Sequence, residues 1–122
     1  MKRSHWMTVL LLGLMLPAVQ SAWSADVVPA NSVAKGSAVF HQTCISCHGA
    51  NGKGMLPGMP DFNNPHGVLT LPETVLEQRI TNGYHGGNPP PPIAMPPKGG
   101  NSSLTQTDIK NVIAYLRTTF QH

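Results

Sequence analysis

Two cysteines three positions apart, followed at once by a histidine, constrain this chain more than any other feature. Cys44-Ile45-Ser46-Cys47-His48 holds the only cysteines among 122 residues. The material around them is sparse. An apolar segment from Met7 to Val19, preceded by Lys2 and Arg3 and followed by the small residues Ser21, Ala22, Ser24 and Ala25, has the form of an export leader. Pro17 and Gln20 interrupt it before it reaches the length of a membrane span, which argues against a retained anchor. A cut after Ser24 removes residues 1–24 and leaves a single domain over 25–122.

About 98 residues then remain, and their aromatic side chains are Phe40, Phe62, Tyr84, Tyr115 and Phe120. Eleven prolines and eleven glycines take much of the backbone out of helix and sheet interiors. A domain this small and loop-rich needs a staple, and two cysteines supply at most one crosslink. Their spacing points to another kind of staple, because Cys-x-x-Cys-His is the pattern of covalent c-type haem attachment. Two thiols at this spacing reach the two vinyl groups on one porphyrin edge, and the next residue, His48, lies beneath the iron with a neutral imidazole nitrogen to offer. A lone disulfide leaves His48 unexplained. A zinc site has no second cysteine pair and would have to recruit distant His66 and His85, and a thioredoxin-like dithiol needs a βαβ pattern that is missing.

The segments on either side read as helices and loops, with no alternating strand pattern. Ser32 is a candidate N-cap for a first helix that places Val33, Gly36, Phe40, Cys44 and Cys47 on one face. Gly36 on that face suggests close approach of another backbone. Residues 49–67 are dense in turn residues and read as a loop folded around the haem edge. Thr70-Leu71-Pro72-Glu73 fits a capping box before a short helix through Val75, Leu76 and Ile80, ended by Asn82-Gly83. Six prolines and four glycines in residues 86–101 favour an extended path, which with one helix left to follow reads as a pocket wall rather than a linker. The last helix has Thr105 as N-cap, Asp108 at N3, a Leu104–Ile109 staple and an apolar stripe of Ile109, Val112, Ile113, Leu116 and Phe120. It is expected to cross the first helix near Gly36 and Phe40, with Tyr115 and Leu116 at the contact.

The face of the iron opposite His48 decides function. Candidates are Met95, Met55, Met59, His66 and His85, while His41 reads as surface. Met95 stands far enough past His48 for the chain to wrap the porphyrin, and prolines at 96 and 97 and 89–92 limit its loop, so its thioether loses less entropy on binding. A soft neutral sulfur favours ferrous iron and raises the potential. Iron filled on both faces passes electrons and leaves no position for a substrate, so the chain reads as an electron carrier, not an enzyme. If Met95 did not bind, a peroxidase or gas sensor would be the alternative.

Gly36 and Phe40, the motif at 44–48, Met95-Pro96, and the segment from Leu104-Thr105 through Ala114-Tyr115-Leu116-Arg117 together resemble a class I, monohaem cytochrome c of the small bacterial periplasmic type, over residues 33–120. The resemblance implies an all-α fold with crossing N- and C-terminal helices, a short middle helix and long Pro/Gly-rich loops around one haem c. It implies thioethers from Cys44 and Cys47, iron ligation by His48 and Met95, and a proline carbonyl, from Pro60 or else Pro57, accepting from the far nitrogen of His48. It further implies a periplasmic carrier cycling Fe(II)/Fe(III) between redox partner proteins such as a dehydrogenase, respiratory complex or oxidase. A dedicated haem subunit of a dehydrogenase or terminal oxidase is the alternative, with the unusually long proline run as its docking surface. Without residues 1–24, six scattered basic residues face five acidic ones, too little for a nucleic-acid surface or strong steering.

Overall fold

The computed structural model describes residues 28–122, so the expected leader lies outside the described residues. Four helices carry the fold: α1 (Ala30–Val39), α2 (Ile45–His48), α3 (Glu73–Asn82) and α4 (Gln106–Phe120). A π-helical turn, Phe40–Cys44, joins α1 to α2, and short turns at Val68–Thr70 and Pro97–Gly100 precede α3 and α4. Among the described residues there is no strand, only a single antiparallel bridge between Tyr84 and Met95. The all-α expectation is met.

α1 and α4 make the most extensive helix contact in the molecule, and Gly36 explains how closely they approach. A Cβ there would collide with the carbonyl of Asn111 and stand 2.8 Å from Tyr115 Cβ. Phe40, with no exposed surface, lies one turn further on, its ring centroid 5.4 Å from that of Tyr115 and 5.8 Å from that of Phe120. Ile109, Val112 and Ile113 are the other fully enclosed side chains, so the apolar stripe of α4 forms the core. Tyr115 meets α1 as expected. Leu116 belongs to the same buried cluster and also lines the cavity described below, while the Asn111 backbone stands against Gly36.

The helix ends divide into one that follows its local signal and two that do not. At α4, Thr105 Oγ1 accepts from the Asp108 N–H (3.2 Å) and the Thr105 N–H donates to Asp108 Oδ2 (2.9 Å), a complete capping box above the buried Leu104 and Ile109. The N-cap of α1 is Pro29, three residues before the expected Ser32. The Ser32 N–H donates to the Pro29 carbonyl at 2.8 Å. The box expected at Thr70 is also absent, because the Thr70 hydroxyl donates to the Gly67 carbonyl (2.8 Å) and closes the turn before α3. Pro72 occupies the N-cap of α3 instead. Arg117 of α4 organises this connection from outside: Nη2 donates to the Leu71 carbonyl (2.6 Å), Nε to that of Leu69 (3.3 Å), and Glu73 lies 3.7 Å from Nη1.

The first helix is not continuous through the cysteines. The Ile45 N–H donates to the carbonyl of Phe40, five residues back, and this widened turn adds a residue between Phe40 and the motif. The single helical face expected from Val33 to Cys47 is therefore broken at Phe40, and Cys44 through His48 take a different register from the face that packs on α4.

Candidate haem site

One cavity of about 570 Å³ lies against the π-helical turn and α2, with the 57–62 loop, α3, the proline-rich stretch and α4 completing its wall. That volume falls within the range of small-molecule and cofactor sites. Its lining is apolar in character: Phe40, Phe62, Leu69, Leu76, Ile113 and Leu116 sit beside Pro57, Pro60 and the run Pro89–Pro92, which is a wall as expected. Arg79 and Lys98 are its two charged side chains. Cys44, Cys47, His48 and Met95 all line this one space.

Cys44 and Cys47 are not joined to each other, and Cys47 is exposed where Cys44 is half-buried. Burial, and secondarily the charge of Cys47 beside it, pushes the Cys44 thiol from 9.0 up to about 11. Burial of the Cys44 sulfur suits its neutral form, as in a thioether. Among the described residues no three His, Cys, Asp or Glu side chains gather as a metal site, so a zinc reading has no ligand set there.

His48 is held by Phe62, whose ring stacks on it at 4.7 Å between centroids and 21° between planes. Burial lowers its pKa and keeps the imidazole neutral, the form with a lone pair to donate. Nδ1 is sealed from solvent with no hydrogen-bond partner. The carbonyl acceptor expected from Pro60, or else Pro57, is thus not engaged, although both prolines line the cavity. The loop closes instead on the backbone of the motif: the Gly54 N–H donates to the His48 carbonyl (2.8 Å) and the Met55 N–H to that of Cys47 (2.9 Å). With Nδ1 enclosed, Nε2 is the nitrogen left to serve the cavity.

Of the five candidates for the opposite face, Met95 and Met59 reach the cavity, whereas His66 and His85 are exposed outside its wall and Met55 is 63% exposed. His41 is exposed as expected, its Nδ1 2.8 Å from the Ser37 carbonyl. Met95 follows the proline run and pairs through its backbone with Tyr84. Met59 belongs to the loop already tied to Cys47 and His48.

Sequence reasoning missed two wall residues. Arg79 lies with its guanidinium 4.0 Å over the Tyr84 ring. A signal for it existed, since a charged residue at 79 sits on the helical stripe of Leu76 and Ile80. Phe62, one aromatic in a loop of Gly, Asn and Pro, carried no such signal.

The residues therefore fit a flat, largely apolar macrocycle tethered through sulfur, and the comparisons agree. The cytochrome c family model matches residues 33–120. Cytochrome c-555 of Prosthecochloris aestuarii is 31% identical over 92 residues, covering 69% of this chain and 84% of that protein. No solved structure matches. The chain belongs to the cytochrome c family, the class of haem-based electron carriers with covalently bound haem c and its iron, and Cys44 to His48 is its attachment region. Among the described residues no helix is long and apolar enough to cross a membrane.

Proposed function

We propose that this chain is a periplasmic one-electron carrier, exported by residues 1–24 and folded over 25–122. Cys44 and Cys47 would hold the haem through thioethers, and His48 and Met95 would be the ligands of its iron. The observation that carries this reading is that these four side chains line one apolar cavity. When bound, the haem supplies the Fe(II)/Fe(III) couple. The residues do the rest: Cys44 and Cys47 present their sulfurs at the wall, Phe62 orients the His48 ring, and the apolar lining disfavours the extra charge of the oxidised state. Arg79 and Lys98 bring positive charge for the carboxylates a haem carries. With His48 and Met95 both committed to the iron, the protein would pass electrons and catalyse no substrate reaction. Its donor and acceptor are redox proteins such as a dehydrogenase, respiratory complex or oxidase.

The test is the denatured mass of the exported protein beside its spectra in both oxidation states. The expected mass is that of residues 25–122 plus one haem, with reversible oxidation; Cys47→Ala retains a single covalent link and matures poorly. Colourless protein from a host with a competent haem-attachment system, or two links surviving Cys47→Ala, contradicts the proposal.

One observation favours the alternative of a dedicated subunit of a dehydrogenase or terminal oxidase. Met55, Leu56 and Ile93 are exposed at 63%, 43% and 50%, and Gly58 lies close against Pro91 and Pro92, so apolar surface gathers beside the proline run. Purification with a stoichiometric partner supports that reading over a shuttle.

A further inference from the structure

Resting on the reading of Met95 as an iron ligand, we infer that Gly83 and the Tyr84 backbone form a clamp that fixes where Met95 can stand, making Gly83 a positioning residue for the iron. The Tyr84 N–H donates to the Met95 carbonyl and the Met95 N–H donates to the Tyr84 carbonyl, both at 2.9 Å, so the two residues exchange a closed pair of bonds. This is the one place among the described residues where strand-like pairing occurs, and it falls on the candidate ligand.

Gly83 makes the approach possible in two ways. Its backbone, at φ 79 and ψ 174, is in a region that is essentially closed to residues with a Cβ. A Cβ there would also stand 2.5 Å from the Met95 carbonyl oxygen, 2.9 Å from Pro97 N and 3.1 Å from Pro96 C. These are backbone atoms of the Met95 segment, which cannot swing aside as a side-chain tip does. Beyond Met95 the segment is tied again: the Gly99 N–H donates to the Pro96 carbonyl (3.0 Å), and Asn101 Nδ2 donates to Thr43 Oγ1 (3.2 Å) on the π-helical turn that leads to Cys44. Arg79 covers the Tyr84 ring from α3. The backbone around Met95 is thus referenced to α3 on one side and to the cysteine segment on the other. Any side chain at 83 must push it away.

The consequence is read at the iron. A displaced Met95 competes less well with an added ligand, whose apparent affinity rises as the Met95-bound fraction falls. The experiment uses purified holoprotein, titrated with imidazole in the ferric state, with the weak red-edge absorption of thioether-bound ferric haem and far-UV circular dichroism recorded alongside. Gly83→Ala applies a side chain to the clamp, and Tyr84→Pro deletes the donor to the Met95 carbonyl. The expected result for both is native helix content, a weakened red-edge band and tighter imidazole binding, by roughly 5- to 150-fold for Gly83→Ala, the ratio set by the strain of a glycine-only conformation. His85→Ala, at an exposed neighbour outside the cavity wall, keeps wild-type behaviour. Should Gly83→Ala yield no holoprotein, Tyr84→Pro decides. Wild-type band and imidazole affinity in either variant, once matured with native helix content, overturn the clamp while leaving the ligand assignment intact. Persistence of the band in Met95→Ala removes the ligand assignment and the clamp with it.

Discussion

The α1–α4 pair, which reaches the cavity through α4, and the loop carrying Met95, which walls it, are held by different physics. The helix pair is held by burial: Phe40, Ile109, Val112 and Ile113 are enclosed, and Gly36 lets the two backbones touch. The Met95 loop buries little of its own. It is held by backbone hydrogen bonds to Tyr84, restricted proline torsions, and glycines at positive φ on either side of it, Gly83 and Gly99. Damage to the first region should therefore appear as lost stability, and damage to the second as a changed iron environment in a protein that remains folded.

The largest effect should come from the helix pair. Phe40→Ala empties a site with no exposed surface, and about 3–5 kcal/mol should be lost in urea unfolding of the holoprotein. A loss of about 0.5 kcal/mol or less, within the range of an ordinary surface substitution, would mean that the crossing does not carry the fold. Arg117→Met comes next. It strips the donors from the carbonyls of Leu69 and Leu71, at a cost of about 1–3 kcal/mol, and should loosen the connection before α3 without altering the absorption spectrum. A large spectral change instead would blur the division between the regions. Thr105→Ala should be the smallest, at about 1 kcal/mol for the loss of the N-cap. Its effect carries a pH signature. The Thr105 hydroxyl, and then its N–H, hold the Asp108 carboxyl below its ordinary value of 3.8. That stabilisation is fully present above pH 3.8 and is lost as pH falls through the lower folded value, so the gap between wild type and Thr105→Ala should narrow in acid. A gap that widens in acid would contradict the capping assignment.

The same division governs what could be read from the residues alone. α4 was legible because its signals are local: a cap, a staple and a periodic stripe within seventeen residues. The start of α1 was misplaced because Pro29 can serve as an N-cap without a side-chain bond, and Ser32 looked like the better candidate. Nothing in Phe40–Cys44 announces a bond to the fifth residue, so the break between α1 and the motif emerges only in three dimensions. Thr70 misled for a related reason: its hydroxyl had two acceptable uses, and the turn behind it took precedence over the helix ahead.

At the site, covalent spacing made Cys44, Cys47 and His48 legible, because the chemistry that needs them sets their separation. Met95 could be ranked but not isolated, since loop reach depends on where Tyr84 and Gly83 stand. The stacking of Phe62 on His48, and the absence of a carbonyl partner at Nδ1, are products of how the 49–62 loop closes on the motif backbone.

The most direct measurement is the red-edge absorption of the oxidised holoprotein in three forms: wild type, Met59→Leu and Met95→Ala. Met59 shares the cavity wall and serves as an internal control, because replacing it changes an apolar contact of similar volume. The account predicts the band in wild type and in Met59→Leu and its disappearance in Met95→Ala. A band that vanishes with Met59 and survives the loss of Met95 would place the sulfur ligand on the wrong loop.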